Sequence, residues 1–129
     1  MTREPLVDHG QILNGPIGKV IGFVDGKAEC EKFADALQAA GYPASALTVL
    51  EGEDGVHLLE RLDENRFFFS DSEDSIIRTG IEELKHGHYA VSIEVTDRQH
   101  AVDIVNLAKP LEGHGFVYFG TWVNERLSI

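Results

Sequence analysis

Two segments of this chain are apolar at consecutive rather than alternate positions. That limits its architecture more than any other feature. Lys19-Val20-Ile21-Gly22-Phe23-Val24 reads as a strand that is apolar on both faces. Phe116 to Val123 reads as another, with Phe116, Tyr118 and Trp122 on one face and Val117, Phe119 and Val123 on the other. Such strands need cover above and below. Helices on one side of a sheet supply one cover; a further layer, or a second copy of the chain, must supply the other.

Each of these strands belongs to a repeated unit. After the first, Asp25-Gly26 ends the run, and Asp25 is placed to cap a helix with Glu29 near the positive end of its dipole. Cys30, Phe33, Ala34, Leu37 and Ala40 follow at helical spacing, Gly41 stops the helix, and Ala46 to Leu50 is a second strand. Tyr89 to Val95 alternates as a third strand. Thr96-Asp97-Arg98-Gln99 matches a capping box, with Thr96 as cap and Gln99 reaching back. The helix after it carries Ala101, Ile104, Val105, Ala108 and Leu111 on one stripe, and Gly113 and Gly115 close it before the last strand. Strand, helix, strand, twice over, predicts an α+β fold: a ferredoxin-like βαββαβ sandwich.

The join between the halves is too long for a hairpin. Residues 52–87 therefore form a helical insertion between the second and third strands. Val56, Leu58, Leu59 and Leu62 mark a short helix; Ile76, Ile77, Ile81 and Leu84 mark a longer one over Ser72 to His86, with Gly87 as its stop. Gly80 in its middle costs about 1 kcal/mol relative to Ala. Residues 51–74 hold nine acids and two bases, so the insertion is the acidic part of the molecule. Residues 1–18, with Pro5, Gly10, Gly15, Pro16 and Gly18, read as an irregular lead-in to a single domain over 19–129.

Composition excludes several classes of function. Twenty-two acids against 11 bases give a net charge of −11, which repels phosphate backbones and anionic lipid. No apolar run approaches the ~18 residues of a spanning helix, and the N-terminus lacks the features of a signal peptide. One cysteine, Cys30, makes no internal disulfide and no multi-thiolate metal site. The expectation is a cytoplasmic protein with neither nucleic-acid nor membrane partners.

Ile21-Gly22-Phe23-Val24-Asp25 with Ala28-Glu29, then Leu37-Gln38-Ala39-Ala40-Gly41-Tyr42-Pro43, Thr48-Val49-Leu50 and Glu51-Gly52-Glu53-Asp54-Gly55, form a recognisable series. Leu84-Lys85-His86-Gly87 and Phe119-Gly120 extend it. Over residues 19–123 the chain resembles the small bacterial general-stress-protein domains, a mostly uncharacterised family. The resemblance implies a ferredoxin-like fold and a stress association. Its motifs are structural turn and cap signatures, and the resemblance implies no established catalytic residues that transfer to this chain.

Candidate chemistry is sparse. His86 and His88 flank Gly87, and His114 precedes the last strand. Were they to gather, imidazoles and an acid would hold a divalent metal. They read more simply as a helix-end cation (His86) and a solvated strand residue (His88), so no metal and no cofactor is expected. His100 and Asp103 read as a surface pair, Glu51, Glu53 and Asp54 as a solvated acidic loop without calcium-loop spacing, and Cys30 as a core residue. Phe67-Phe68-Phe69 cannot all point inward from one extended segment.

The leading expectation is a non-enzymatic, stress-associated homodimer that buries the sheet face opposite the two main helices. The second is a small-ligand sensor with an aromatic-lined sheet cavity built from Tyr89, Tyr118, Trp122 and His114. The third is an enzyme of the cofactor-free monooxygenase type, for which Trp122, Asn124 and His114 are suitable residue types.

Overall fold

The computed structural model describes residues 18–64, 71–120 and 124–128. In chain order the elements are β1 (Lys19–Val24), α1 (Lys27–Ala39), β2 (Leu47–Leu50), α2 (Gly52–Glu64), α3 (Asp71–Lys85), β3 (Tyr89–Glu94), α4 (Arg98–Ala108), β4 (His114–Phe119) and β5 (Asn124–Arg126). Short 3-10 turns precede β2 and follow α4. The lead-in over residues 1–17, Phe67-Phe68-Phe69 and Trp122 lie outside the described residues.

The fold is mixed helix and sheet. Its five strands lie in the order β2-β3-β1-β4-β5, and every neighbouring pair is antiparallel. The expected last strand, Phe116 to Val123, is instead β4, which starts at His114 and ends at Phe119. β5 then pairs along the edge of β4. Asn124-Glu125-Arg126 has no apolar alternation, so pairing alone makes it a strand.

Strand alternation divides the core in two. Val20, Val24, Val91, Ile93 and Phe116 pack on one face of the sheet against Cys30, Phe33 and Leu37 of α1 and Ala101, Ile104 and Val105 of α4. Phe23, Leu50 and Ala90 pack on the other face against Leu58 and Leu59 of α2 and Ile77 and Leu84 of α3. The insertion is therefore a third layer. Phe119, Thr48 and Ser92 are also buried within this single chain. Two-faced apolarity, the sequence ground for a homodimer, is met by the chain's own helices. Phe116 is likewise not on the face opposite the main helices; it packs edge-on to Phe33 of α1, ring centroids 6.2 Å apart.

Glycines allow the closest approaches. A Cβ on Gly22 would lie 2.3–2.5 Å from the Phe116 ring. The β1–β4 register shifts at this point, and Gly115 at φ +68° supplies the left-handed residue that a bulge here uses. Gly80, a mid-helix penalty in the sequence, sits where its Cβ would come 2.9 Å from Leu59 Cδ1, so its lack of a side chain brings α3 down onto α2.

Two caps differ from expectation. Gly26, not Asp25, is the N-cap of α1, with no side-chain hydrogen bond. Asp97, not Thr96, caps α4 by accepting from the His100 N–H at 2.9 Å, and Gln99 donates forward to Asp103 instead of back to the cap.

Candidate functional site

Among the described residues, titratable side chains converge at the sheet end formed by the close of β1 and the starts of β3 and β4. Antiparallel pairing brings these termini together: Phe23 is opposite both Ala90 and His114. The C-terminus of α3 supplies the last member. Gly87 at φ +86° turns the chain so that the His88 N–H donates to the Glu83 carbonyl at 3.0 Å and the Gly87 N–H to Leu84, the Schellman closure of a helix. That turn folds His88 back over Glu83.

Glu83 Oε1 accepts two hydrogen bonds, from His88 Nδ1 at 2.7 Å and from His114 Nε2 at 2.8 Å. The imidazoles meet at 82° with centroids 5.7 Å apart, and His114 leans on Phe23. Asp25 stands at their far nitrogens, its Oδ1 3.6 Å from His114 Nδ1 and 4.0 Å from His88 Nε2. Glu83 is the most enclosed of the four side chains at 19% exposed, against 30% for His114, 32% for His88 and 46% for Asp25.

The protonation pattern follows from the partners. His114 Nδ1 lies 3.0 Å from the Glu112 carbonyl, an acceptor only, and Nε2 faces a carboxylate. Both partners are acceptors, so the contacts favour the imidazolium form, with hydrogen on both ring nitrogens. Burial pushes the His114 pKa down, but the Glu112 carbonyl, Glu83 and Asp25 together hold it above the ordinary value. For Glu83, burial pushes the carboxyl up; hydrogen bonds from His88 and His114 outweigh it and hold the carboxyl below its usual range.

Of the residues expected to line a ligand cavity, the three described ones, Tyr89, Tyr118 and His114, are not gathered. Tyr89 and Tyr118 pack at opposite ends of β1 on the α1–α4 face, opposite Val24 and Val20, whereas His114 lies on the other face opposite Phe23. Strand alternation and the bulge separate them. Tyr89 turns to Glu51; burial first, then that carboxylate, pushes its pKa up to about 12. His86 keeps its expected place at the helix end, giving Nδ1–H to the Glu82 carbonyl at 2.8 Å. His88 is not the solvated strand residue expected of it. His100 pairs with the Thr96 hydroxyl at 2.6 Å, while Asp103 takes Gln99. Glu83 was hidden in the sequence beside the apolar stripe of its helix, and Asp25 behind the role of a cap. The His86-Gly87-His88 run next to a helix stop was the available signal.

A second concave region, an open groove of about 700 Å³, lies between the end of α1 and the start of α4, with Tyr42, Pro43, Thr96 and His100 on its walls. Tyr42 meets His100 edge-on at 6.1 Å. No helix among the described residues is long and apolar enough to cross a membrane. No family model, no curated protein and no solved structure matches the chain.

Proposed function

We propose that this chain is a non-enzymatic binding domain of ferredoxin-like type, cytoplasmic and stress-associated, whose binding site is the centre of Asp25, Glu83, His88 and His114. The order β2-β3-β1-β4, antiparallel throughout, supports the fold reading; α2–α3 is then its insertion and β5 an added edge strand. The stress association rests on the turn and cap motifs of the sequence.

The observation that carries the site is the sharing of one carboxylate oxygen by two imidazoles, one from the turn before β3 and one from β4, with a second carboxylate facing their other nitrogens. Such convergence is costly to hold without a use, since each group gives up hydration. Binding is favoured over catalysis because the nitrogens turned away from Glu83, His88 Nε2 and His114 Nδ1, face the Asp25 carboxylate and not a nucleophile that they could activate. The Thr96–His100 pair is no better placed: Asp97 Oδ1, 4.0 Å away, faces the same Nδ1, so it does not orient the ring from the far side.

Amide and imidazole NMR spectra, recorded while divalent cations, phosphate, small carboxylates and amines are added in turn, test the site. Shifts centred on residues 25, 83, 88 and 114 are expected for at least one of these. Shifts centred on Tyr42 and His100, or none with any addition, would overturn it.

A further inference from the structure

We infer that the centre takes a divalent transition-metal ion of the zinc class, held by the Asp25 carboxylate, His88 Nε2 and His114 Nδ1, with Glu83 as the outer carboxylate that orients both rings. This deepens the proposed binding function and rests on it.

Distance comes first. One ligand atom from each of Asp25, His88 and His114 lies within 4.8 Å of the others, and the two Asp25 separations are 3.6 and 4.0 Å. Zinc bonds of about 2.0–2.2 Å at tetrahedral angles place ligand atoms roughly 3.4 Å apart. The Asp25 separations therefore need closures of about 0.2 and 0.6 Å, and the histidine pair one of at most about 1.4 Å. Asp25 sits in the turn before α1 and is the most exposed of the three, so it can supply much of that movement.

Orientation is the second ground. A metal-bound histidine characteristically donates its other ring N–H to a carboxylate. Here one carboxylate does this for both rings. Its bond to His88 Nδ1 leaves Nε2 to offer a lone pair, and its bond to His114 Nε2 leaves Nδ1. In its imidazolium form His114 directs the Nδ1 proton at the Glu112 carbonyl. An incoming divalent cation displaces that proton, so the positive charge beside Glu83 and Asp25 rises by one unit rather than two.

Donor chemistry is the third ground. Two imidazoles with one carboxylate suit zinc, cobalt or nickel; calcium and magnesium prefer all-oxygen sites. Three protein ligands on a half-exposed surface leave a fourth position open to water. A chain of net charge −11 also draws cations toward it. His86, 6.5 Å from His88 ring to ring, does not bring a ligand atom into the group formed by Asp25, His88 and His114, so it stands outside the set.

The test is calorimetric titration of tag-free protein with zinc, beside cobalt absorption spectra. One zinc per chain is expected, with a cobalt spectrum of low coordination number. His88→Gln and Asp25→Asn should each weaken zinc at least a hundredfold, Glu83→Gln about 10–100-fold, and His86→Gln less than twofold. Asp25 is exposed and caps nothing, so Asp25→Asn keeps the test valid if a histidine variant fails to fold. No zinc binding by the parent protein, or full binding by Asp25→Asn and His88→Gln, would overturn the metal. If zinc fails while another addition shifts residues 25, 88 and 114 in NMR spectra, the metal falls and the binding site stands. If nothing shifts them, both fall.

Discussion

His114 Nε2 donates to Glu83 Oε1 across 2.8 Å, joining the first residue of β4 to the last turn of α3. Through this bond the insertion is tied to the sheet by charge as well as by packing. Its strength should depend on pH. The His114 pKa is raised, so its contribution is complete below the unfolded value near 6.5 and is lost as pH rises through the folded value. The Glu83 pKa is lowered, so its contribution is complete above about 4.5 and is lost as pH falls through the folded value. Without metal, the stability advantage of the parent over His114→Gln should be greatest between these limits and shrink toward pH 8. It should not exceed about 1 kcal/mol, as befits a partly exposed pair. Thermal melts from pH 5 to 8.5 measure it; an advantage independent of pH would mean that His114 is not charged.

Gly87→Ala should cost about 1 kcal/mol or more. No atom crowds the position, but φ is +86°, a conformation that L residues adopt at a cost. The same change should loosen the turn that returns His88 to Glu83. Urea denaturation gives the energy, and the His88 imidazole nitrogen shift reports the hydrogen bond.

A larger loss, about 2–3 kcal/mol, is expected from Gly22→Ala. The added methyl would meet the ring of Phe116, which is fully buried and cannot withdraw. Gly41→Ala is a useful comparison: its strain is backbone only, since nothing lies within 4 Å of its Cβ. If the two variants lose equal stability, the Phe116 contact is not the cause.

Light scattering at micromolar concentration should return the mass of one chain. The sheet face once in need of a partner is covered by Leu58, Leu59, Ile77 and Leu84. A two-chain mass would show that another surface pairs, and hydrogen exchange at the exposed face of α2 would then locate it.

Secondary structure was largely legible in the sequence, since it depends on local rules. Turn glycines at 41 and 87, the apolar stripe of Ile76, Ile77, Ile81 and Leu84, and the alternation of Tyr89 to Val95 each act within a few residues, and helices and strands stand where they direct. The insertion was legible as helices, but the choice between a further layer and a second copy as the cover was not written in any local pattern. Tertiary packing made it by laying α2 and α3 on Phe23 and Leu50. The caps at Gly26 and Asp97 escaped because several neighbouring residues can cap and backbone geometry selects one. The site was least legible. Asp25, Glu83, His88 and His114 lie in four separate places along the chain, a turn, a helix end, a second turn and a strand start, and antiparallel pairing of β1 with β3 and β4, with a glycine-turned helix end, brings them together. Sequence determines which groups are available and how each local segment folds. Which groups meet is decided by strand register, because a one-residue shift sends a side chain to the opposite face.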